Sequence, residues 1–179
     1  MPFKTTPLEG LLIFEPRVFE DSRGYFYESY NTKTFREAGI ETTFVQDNQA
    51  ASTKGVLRGL HQQTGHASQT KLVRVISGEV FDVTVDLRPD SPTYHQWYGI
   101  YLSGENHRQL YIPRGFAHGY LVTSEEATFV YKCDNFYAPE TEQGFRYDDP
   151  AFGVEWPKME GGYTVADRDH TWPLANLNP

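Results

Sequence analysis

The chain has 179 residues, 39% of them apolar and 22% charged, with a net charge of −8; this length suits one domain, and the negative balance argues against a nucleic-acid partner, whose phosphates call for many cations. Its single cysteine, Cys133, excludes an internal disulfide and any multi-thiolate zinc cluster. No stretch approaches the ~20 apolar residues of a membrane span and residues 1–10 lack a signal-peptide layout, so the expected address is cytoplasmic, with no membrane partner.

In chain order, Leu11–Glu15 and Gly24–Tyr30 read as strands, and Thr32–Ala38 as one short helix with Asn31 as N-cap and Gly39 as its stop. Phe44–Gln49, Val56–His61, Thr70–Ile76, Glu79–Leu87, Gln96–Leu102, Arg108–Ile112, Ala117–Val122 and Ala127–Asp134 follow as further strands. Turn residues separate them, among them Ser77-Gly78, Arg88-Pro89-Asp90-Ser91-Pro92 and Pro113-Arg114-Gly115. Strands at this spacing, with 12 Tyr, 12 Phe and 3 Trp to fill them, predict an antiparallel sandwich, jelly roll or barrel. With no repeat, low-complexity tract or linker, residues 1–179 are expected to form a single domain.

Two strands show how the layers are expected to pack. In Glu79–Leu87 the apolar set Phe81, Val83, Val85 and Leu87 alternates with Val80, Asp82, Thr84 and Asp86, so the first set is expected to face the core. In Thr70–Ile76 each face carries a cation among apolar residues, Lys71 on one and Arg74 on the other. That pattern suits a barrel around a polar cavity, or a strand whose outside is covered by a partner, with an anion opposite the inward cation.

Pro113-Arg114-Gly115-Phe116-Ala117-His118 resembles the PxGxxH half of the cupin signature. Metal-binding cupins supply HxH from an earlier strand, but here the equivalent is Leu60-His61-Gln62-Gln63, so no metal is expected. His61 and His118 then become candidates for an acid, a base or a hydrogen-bond donor. The segments Glu15–Phe19, Asp21–Glu28, Phe44–Asn48, Lys54–His61, Lys71–Val75, Gly78–Val83, Pro113–His118 and Tyr137–Glu140, in this order, resemble the dTDP-4-dehydrorhamnose 3,5-epimerase family along nearly the whole chain.

That resemblance implies an all-β cupin jelly roll acting as a homodimer, in which N-terminal strands cross over and Arg23 or Phe26 completes the other chain's site. The implied reaction converts dTDP-4-dehydro-6-deoxy-D-glucose to dTDP-4-dehydro-L-rhamnose without cofactor. A 4-ketone acidifies the hydrogens on C3 and C5, so inversion needs a base on one face of the ring, an acid on the other and a cation by the enolate oxygen. Histidine suits the base and a neutral tyrosine hydroxyl the acid. The resemblance assigns these roles to His61 and Tyr131, the dyad carboxylate to Asp167, and the enolate cation to Lys71, with His118 sharing that task.

For the nucleotide it implies Arg23, Arg58, Glu28, Gln46, Asp47, Asn48 and Glu142 as polar contacts, with Phe26 and Tyr137 packing on base or hexose. Two points stand apart. Arg58 and His61 are three positions apart and would face opposite sides of a regular strand, so either Gly59 makes a bulge or the two address different subunits' cavities. The family commonly has lysine before the tail aspartate, where Ala166 precedes Asp167. His66, His95, His107 and His170 are expected to serve the surface or packing. Rival readings are a mono-epimerase acting at C3 or C5 alone, a non-catalytic cupin that binds nucleotide sugars, and a metal-dependent cupin oxygenase.

Overall fold

The computed structural model describes residues 2–175. Its strands are β1 (Phe3–Thr5), β2 (Leu12–Phe14), β3 (Phe19–Asp21), β4 (Gly24–Phe26), β5 (Gln46–Thr53), β6 (Val56–Gln63), β7 (Lys71–Ser77), β8 (Glu79–Asp86), β9 (Trp97–Ser103), β10 (Gln109–Ile112), β11 (Phe116–Val122), β12 (Glu126–Cys133), β13 (Glu142–Gly144) and β14 (Thr164–Val165). Two short helices accompany them, α1 (Thr32–Glu37) and α2 (Asp167–Thr171). One sheet has the order β1-β2-β10-β7-β12-β5 and faces a second of order β13-β6-β11-β8-β9, which gives a cupin-type jelly roll. β14 adds parallel to β6, and β3 and β4 form a separate hairpin.

Each of the ten expected strands occurs, with its ends shifted. α1 is capped as the sequence suggested: Asn31 Oδ1 accepts from the Lys33 amide at 3.0 Å, and Gly39 follows with φ of 80°. Its Phe35 is buried against Phe14, Ile40 and Leu72 on the outside of the first sheet. Between the sheets lie Val73, Val75, Val80, Leu102, Leu110, Tyr120, Val122 and Phe129.

The expectation for β8 needs a correction. Its apolar set does face a buried cluster, but an outer one, where Val83 and Val85 meet Phe145, Phe152 and Trp156 of the C-terminal segment. The other set, Val80, Asp82, Thr84 and Asp86, is equally buried. Both faces are covered because the tail folds back over the second sheet, leaving the polar face of β8 inside the jelly roll. β7 follows the same logic: Val73 and Val75 face the interior, while Leu72 lies under α1 and Ile76 is exposed on the outside. Among the described residues no helix is long and apolar enough to cross a membrane.

Candidate active site

The interior is apolar at one end and polar at the other. At the polar end a cavity of about 260 Å³ is lined by Gln46, Asn48, His61, Gln62, Gln63, Gln69, Lys71, Tyr131, Tyr137 and Glu142. At about 30 Å³ per water-sized group, it holds about nine such groups, the scale of a hexose ring with its substituents. Strand alternation explains the lining: on β5 the half-buried residues are Gln46, Asn48, Ala50 and Ser52, and on β12 Tyr131 points in while Lys132 points out.

His61 reaches the cavity through an irregularity in β6. Register against β11 shifts between the pairs His118–His61 and Tyr120–Arg58. Gly59 sits at that shift with φ of 129°, and a Cβ there would lie 2.5 Å from Gly119 Cα, so two glycines meet where no side chain fits. The shift resolves the puzzle of Arg58. Its guanidinium donates to Ser52 Oγ at 3.2 and 3.3 Å, an inward position of β5, so Arg58 and His61 address the same side, although Arg58 is exposed and outside the cavity lining.

The carboxylate bonded to His61 is Asp169 rather than the expected Asp167. His61 Nε2 donates to Asp169 Oδ1 at 2.7 Å, which leaves Nδ1 as the ring's lone-pair nitrogen. Asp169 also accepts from the Gly59 amide at 3.3 Å and the Trp172 indole N–H at 3.3 Å, and its residue is 2% exposed. Burial pushes its carboxyl up, but the hydrogen bond and charge of His61, with the Gly59 and Trp172 donors, more than offset this and hold it below the usual carboxylate range. Asp167 is the exposed first residue of α2. Two positions on a helix differ by about 200°, so the helix that aims Asp169 inward necessarily aims Asp167 at solvent.

With Asp169 as the tail aspartate, the residue before it is Arg168, so the cation that Ala166 failed to supply is present. Arg168 Nη1 donates to Glu142 Oε2 at 2.9 Å, and the Tyr137 hydroxyl donates to the same oxygen at 3.0 Å, so three side chains meet at the cavity mouth. The sequence signal for Arg168 was there, in the cation directly preceding an aspartate, but it was read two positions early.

Tyr131 is half-buried in the wall, and burial pushes its hydroxyl up to about 12, so it keeps its proton at neutral pH. Burial lowers the pKa of Lys71, against the pull of Cys133, Asp82 and Glu142. His118 is buried and donates from Nε2 to Asp82 Oδ2 at 2.9 Å, on the strand next to His61 but not on the cavity lining. Gln63, which no sequence signal singled out, accepts from the Ala138 amide at 2.8 Å and so fixes the loop carrying Tyr137.

The remaining expected residues lie elsewhere in this chain. The Asp47 side chain is on the outer face of β5, ion-paired with Lys132 at 2.9 Å, because it alternates with the inward Gln46 and Asn48. Arg23 is exposed on the β3–β4 hairpin and bonded to Asp21, and Phe26 beside it is 66% exposed. Glu28 accepts from Asn31 Nδ2 at 3.0 Å beside α1. Arg23, Phe26 and Glu28 stay outside because the segment carrying them lies on the outer face of the first sheet, where Arg74 of β7 donates to the Tyr27 hydroxyl at 3.4 Å. Among the described residues, no three His, Cys, Asp or Glu side chains converge as a metal site would require.

Together these groups offer one imidazole held by a buried carboxylate, one protonated phenol and one ammonium around a sugar-sized space, an arrangement suited to moving protons at a carbon made acidic by a neighbouring carbonyl. A sequence model of the family described as dTDP-4-dehydrorhamnose 3,5-epimerase matches residues 5–176. A protein of that description from Methanothermobacter thermautotrophicus is 49% identical over 178 residues, covering 99% of this chain and 96% of its own length. The crystal structure of a dTDP-6-deoxy-D-glucose-3,5-epimerase from Legionella pneumophila, in complex with dTDP-4-keto-L-rhamnose, superposes with a TM-score of 0.93 at 48% identity, covering 98% of this chain and 93% of that one. A 3'-monoepimerase from Streptomyces bikiniensis in complex with dTDP-quinovose is also similar, with a TM-score of 0.87 at 33% identity over 94% of this chain and 85% of that one. With matching of this extent in both sequence and fold, the chain belongs to the dTDP-4-dehydrorhamnose 3,5-epimerase family.

Proposed function

We propose that this protein converts dTDP-4-dehydro-6-deoxy-D-glucose to dTDP-4-dehydro-L-rhamnose, inverting C3 and C5 through enolates. The observation that carries the reading is that His61, Tyr131 and Lys71 line one cavity while His61 is tied to a buried Asp169. His61 removes the proton beside the ketone, and Asp169 stabilises the imidazolium that results. Lys71 offsets the negative charge growing on the ketone oxygen, with His118 behind it. Tyr131 returns a proton to the opposite face, for which its hydroxyl must be protonated at rest. Gln46, Asn48, Tyr137 and Glu142 hold the substrate at the mouth, where Arg58 and Arg168 face the diphosphate. None of these roles calls for a metal or organic cofactor. A cytoplasmic location fits a nucleotide-linked substrate.

Incubation with substrate in D₂O tests the reading. The wild type is expected to take up deuterium at both C3 and C5, and His61→Ala at neither. The likeness to a 3'-monoepimerase makes single-carbon inversion the second reading, and label at one carbon alone selects it.

The working unit in this reading is a homodimer. Support comes from the β3–β4 hairpin, which leaves Phe19, Tyr25 and Phe26 exposed and holds Arg23 away from its own cavity. A second copy that receives this hairpin would cover those rings and gain Arg23 and Phe26 as substrate contacts. Refolding His61→Ala chains together with Arg23→Ala/Phe26→Ala chains is expected to restore activity that neither has alone; a mixture as inactive as its parts refutes exchange of the hairpin between chains.

A further inference from the structure

α2 carries the dyad aspartate, yet five residues are too few to hold a helix by backbone bonds alone, and its N-cap residue Ala166 offers no side-chain bond. Contacts made by the tail itself must therefore fix where Asp169 sits. The Asp149 carboxylate anchors the segment beyond the helix, accepting from the Ala175 amide at 2.6 Å. The nearer contact is Trp172. Its indole N–H donates at 3.3 Å to Asp169 Oδ1, the same oxygen that His61 engages at 2.7 Å.

The indole has a prepared seat. A Cβ on Gly144 would lie 2.1 Å from Trp172 Cε2, so the ring rests directly on the glycine backbone. Gly144 is the cross-strand partner of His61, and the indole stands edge-on to the imidazole with centroids 6.3 Å apart. A single bare backbone position thus sets the ring against both members of the dyad. Asp169 and Trp172 are three residues apart, so one turn of chain delivers both groups together.

We propose that Trp172 is a positioning residue for the His61–Asp169 pair, holding the carboxylate in the orientation in which it receives the imidazole N–H. The titratable and charged groups facing Asp169 are His61 from β6 and Arg168 from α2, whose Nε lies 3.7 Å from Oδ1. Arg168 is turned toward Glu142, so the indole on Oδ1 and the Gly59 amide on Oδ2 are the neutral donors that complete the carboxylate's set. Without the indole, Oδ1 is free to rotate toward Arg168 and the imidazole loses its fixed orientation. This rests on the proposed role of the dyad as base.

Trp172→Phe keeps a ring on Gly144 and removes only the N–H. A hydrogen bond to a charged group is worth ten-fold upward, so kcat for the epimerisation is expected to fall about ten-fold with KM within two-fold. A purely structural tryptophan would give unchanged kcat, or losses that track the melting temperature, and either result overturns the proposal. Should Trp172→Phe fail to fold, hydrogen exchange of the Trp172 indole N–H in the otherwise native protein decides: slow exchange that quickens in Asp169→Ala, which removes the acceptor, supports the contact, and exchange at the solvent rate in the wild type or unaltered by that substitution refutes it. This readout needs no turnover. A wild type that takes up no deuterium from D₂O would therefore defeat the functional reading while the indole measurement still answers for Trp172.

Discussion

Replacing Asp169 by asparagine separates the charge of the dyad from its shape. The two side chains have nearly the same volume, and asparagine's carbonyl oxygen can still accept from His61 Nε2. What disappears is the negative charge beside an imidazole that must become positive as it takes the substrate proton. Two unit charges about 4 Å apart interact by ~4 kcal/mol at an effective dielectric of about 20. The His61 side chain opens on the cavity and is 20% exposed against 3% for Asp169, so screening trims this to about 3 kcal/mol, close to a hundred-fold in kcat. Stability should suffer less. The amide group now faces the Gly59 N–H, donor against donor, at a cost of about 1–2 kcal/mol, or roughly 3–6 °C in melting temperature for a chain of this size. Asp167→Asn, two residues away on the exposed side of α2, should leave kcat within two-fold. Steady-state kinetics of both variants, with thermal melts, provide the check. A hundred-fold loss in Asp167→Asn with near-normal Asp169→Asn would mean that the tail docks two residues out of register, and the site geometry derived from it would be wrong.

Three other outcomes follow from the same geometry. Tyr131→Phe should still exchange substrate protons with D₂O through His61, yet form little inverted product, because the opposite-face donor is gone; normal product formation would show that another group protonates that face. Asp86→Asn probes acid stability: burial raises the Asp86 carboxyl, but hydrogen bonds from Arg88, Ser91 and Thr93 bring it down to about 2 from 3.8. Its pKa being lower in the folded state, the contribution of about 2 kcal/mol is present above about pH 4 and lost as pH falls toward 2, so the gap between wild type and Asp86→Asn in urea unfolding should narrow over that window. A gap of constant size would contradict this. Gly59→Ala should destabilise by at least about 2 kcal/mol, since φ of 129° and contact with Gly119 both exclude a Cβ; a normal denaturation midpoint would show that the close approach of β6 and β11 is misplaced.

The strands of the jelly roll were legible because each is punctuated by turn residues and several alternate with period two. β1, β3, β13 and β14 were not, since segments of three residues or fewer carry no period; β2 and β4 are as short and were found only inside the longer β-rich runs Leu11–Glu15 and Gly24–Tyr30. β8 shows the limit of alternation as a guide to the interior. Its apolar face was read as the core, yet the tail buries that face from outside, and the polar face with Asp82 and Thr84 turned out to be internal. Alternation distinguishes two faces but cannot say which is inside when both are covered.

The same division runs through the site. By itself the sequence determined the family, the jelly roll and the identities of His61, Lys71, Tyr131, Gln46, Asn48, Tyr137 and Glu142, which the fold gathers around one cavity: strand parity turns Gln46, Asn48, Lys71 and Tyr131 inward, while β6 with its register shift, and the segment from Tyr137 to Glu142, bring the others. Only tertiary structure decided that Asp169 and not Asp167 meets His61, that Arg58 shares the side of His61 and that Trp172 touches the dyad. Those outcomes depend on a register shift at Gly59, the angular setting of a five-residue helix and the backbone surface of Gly144. Each is set by long-range packing, which a run such as Asp167-Arg168-Asp169 does not encode locally.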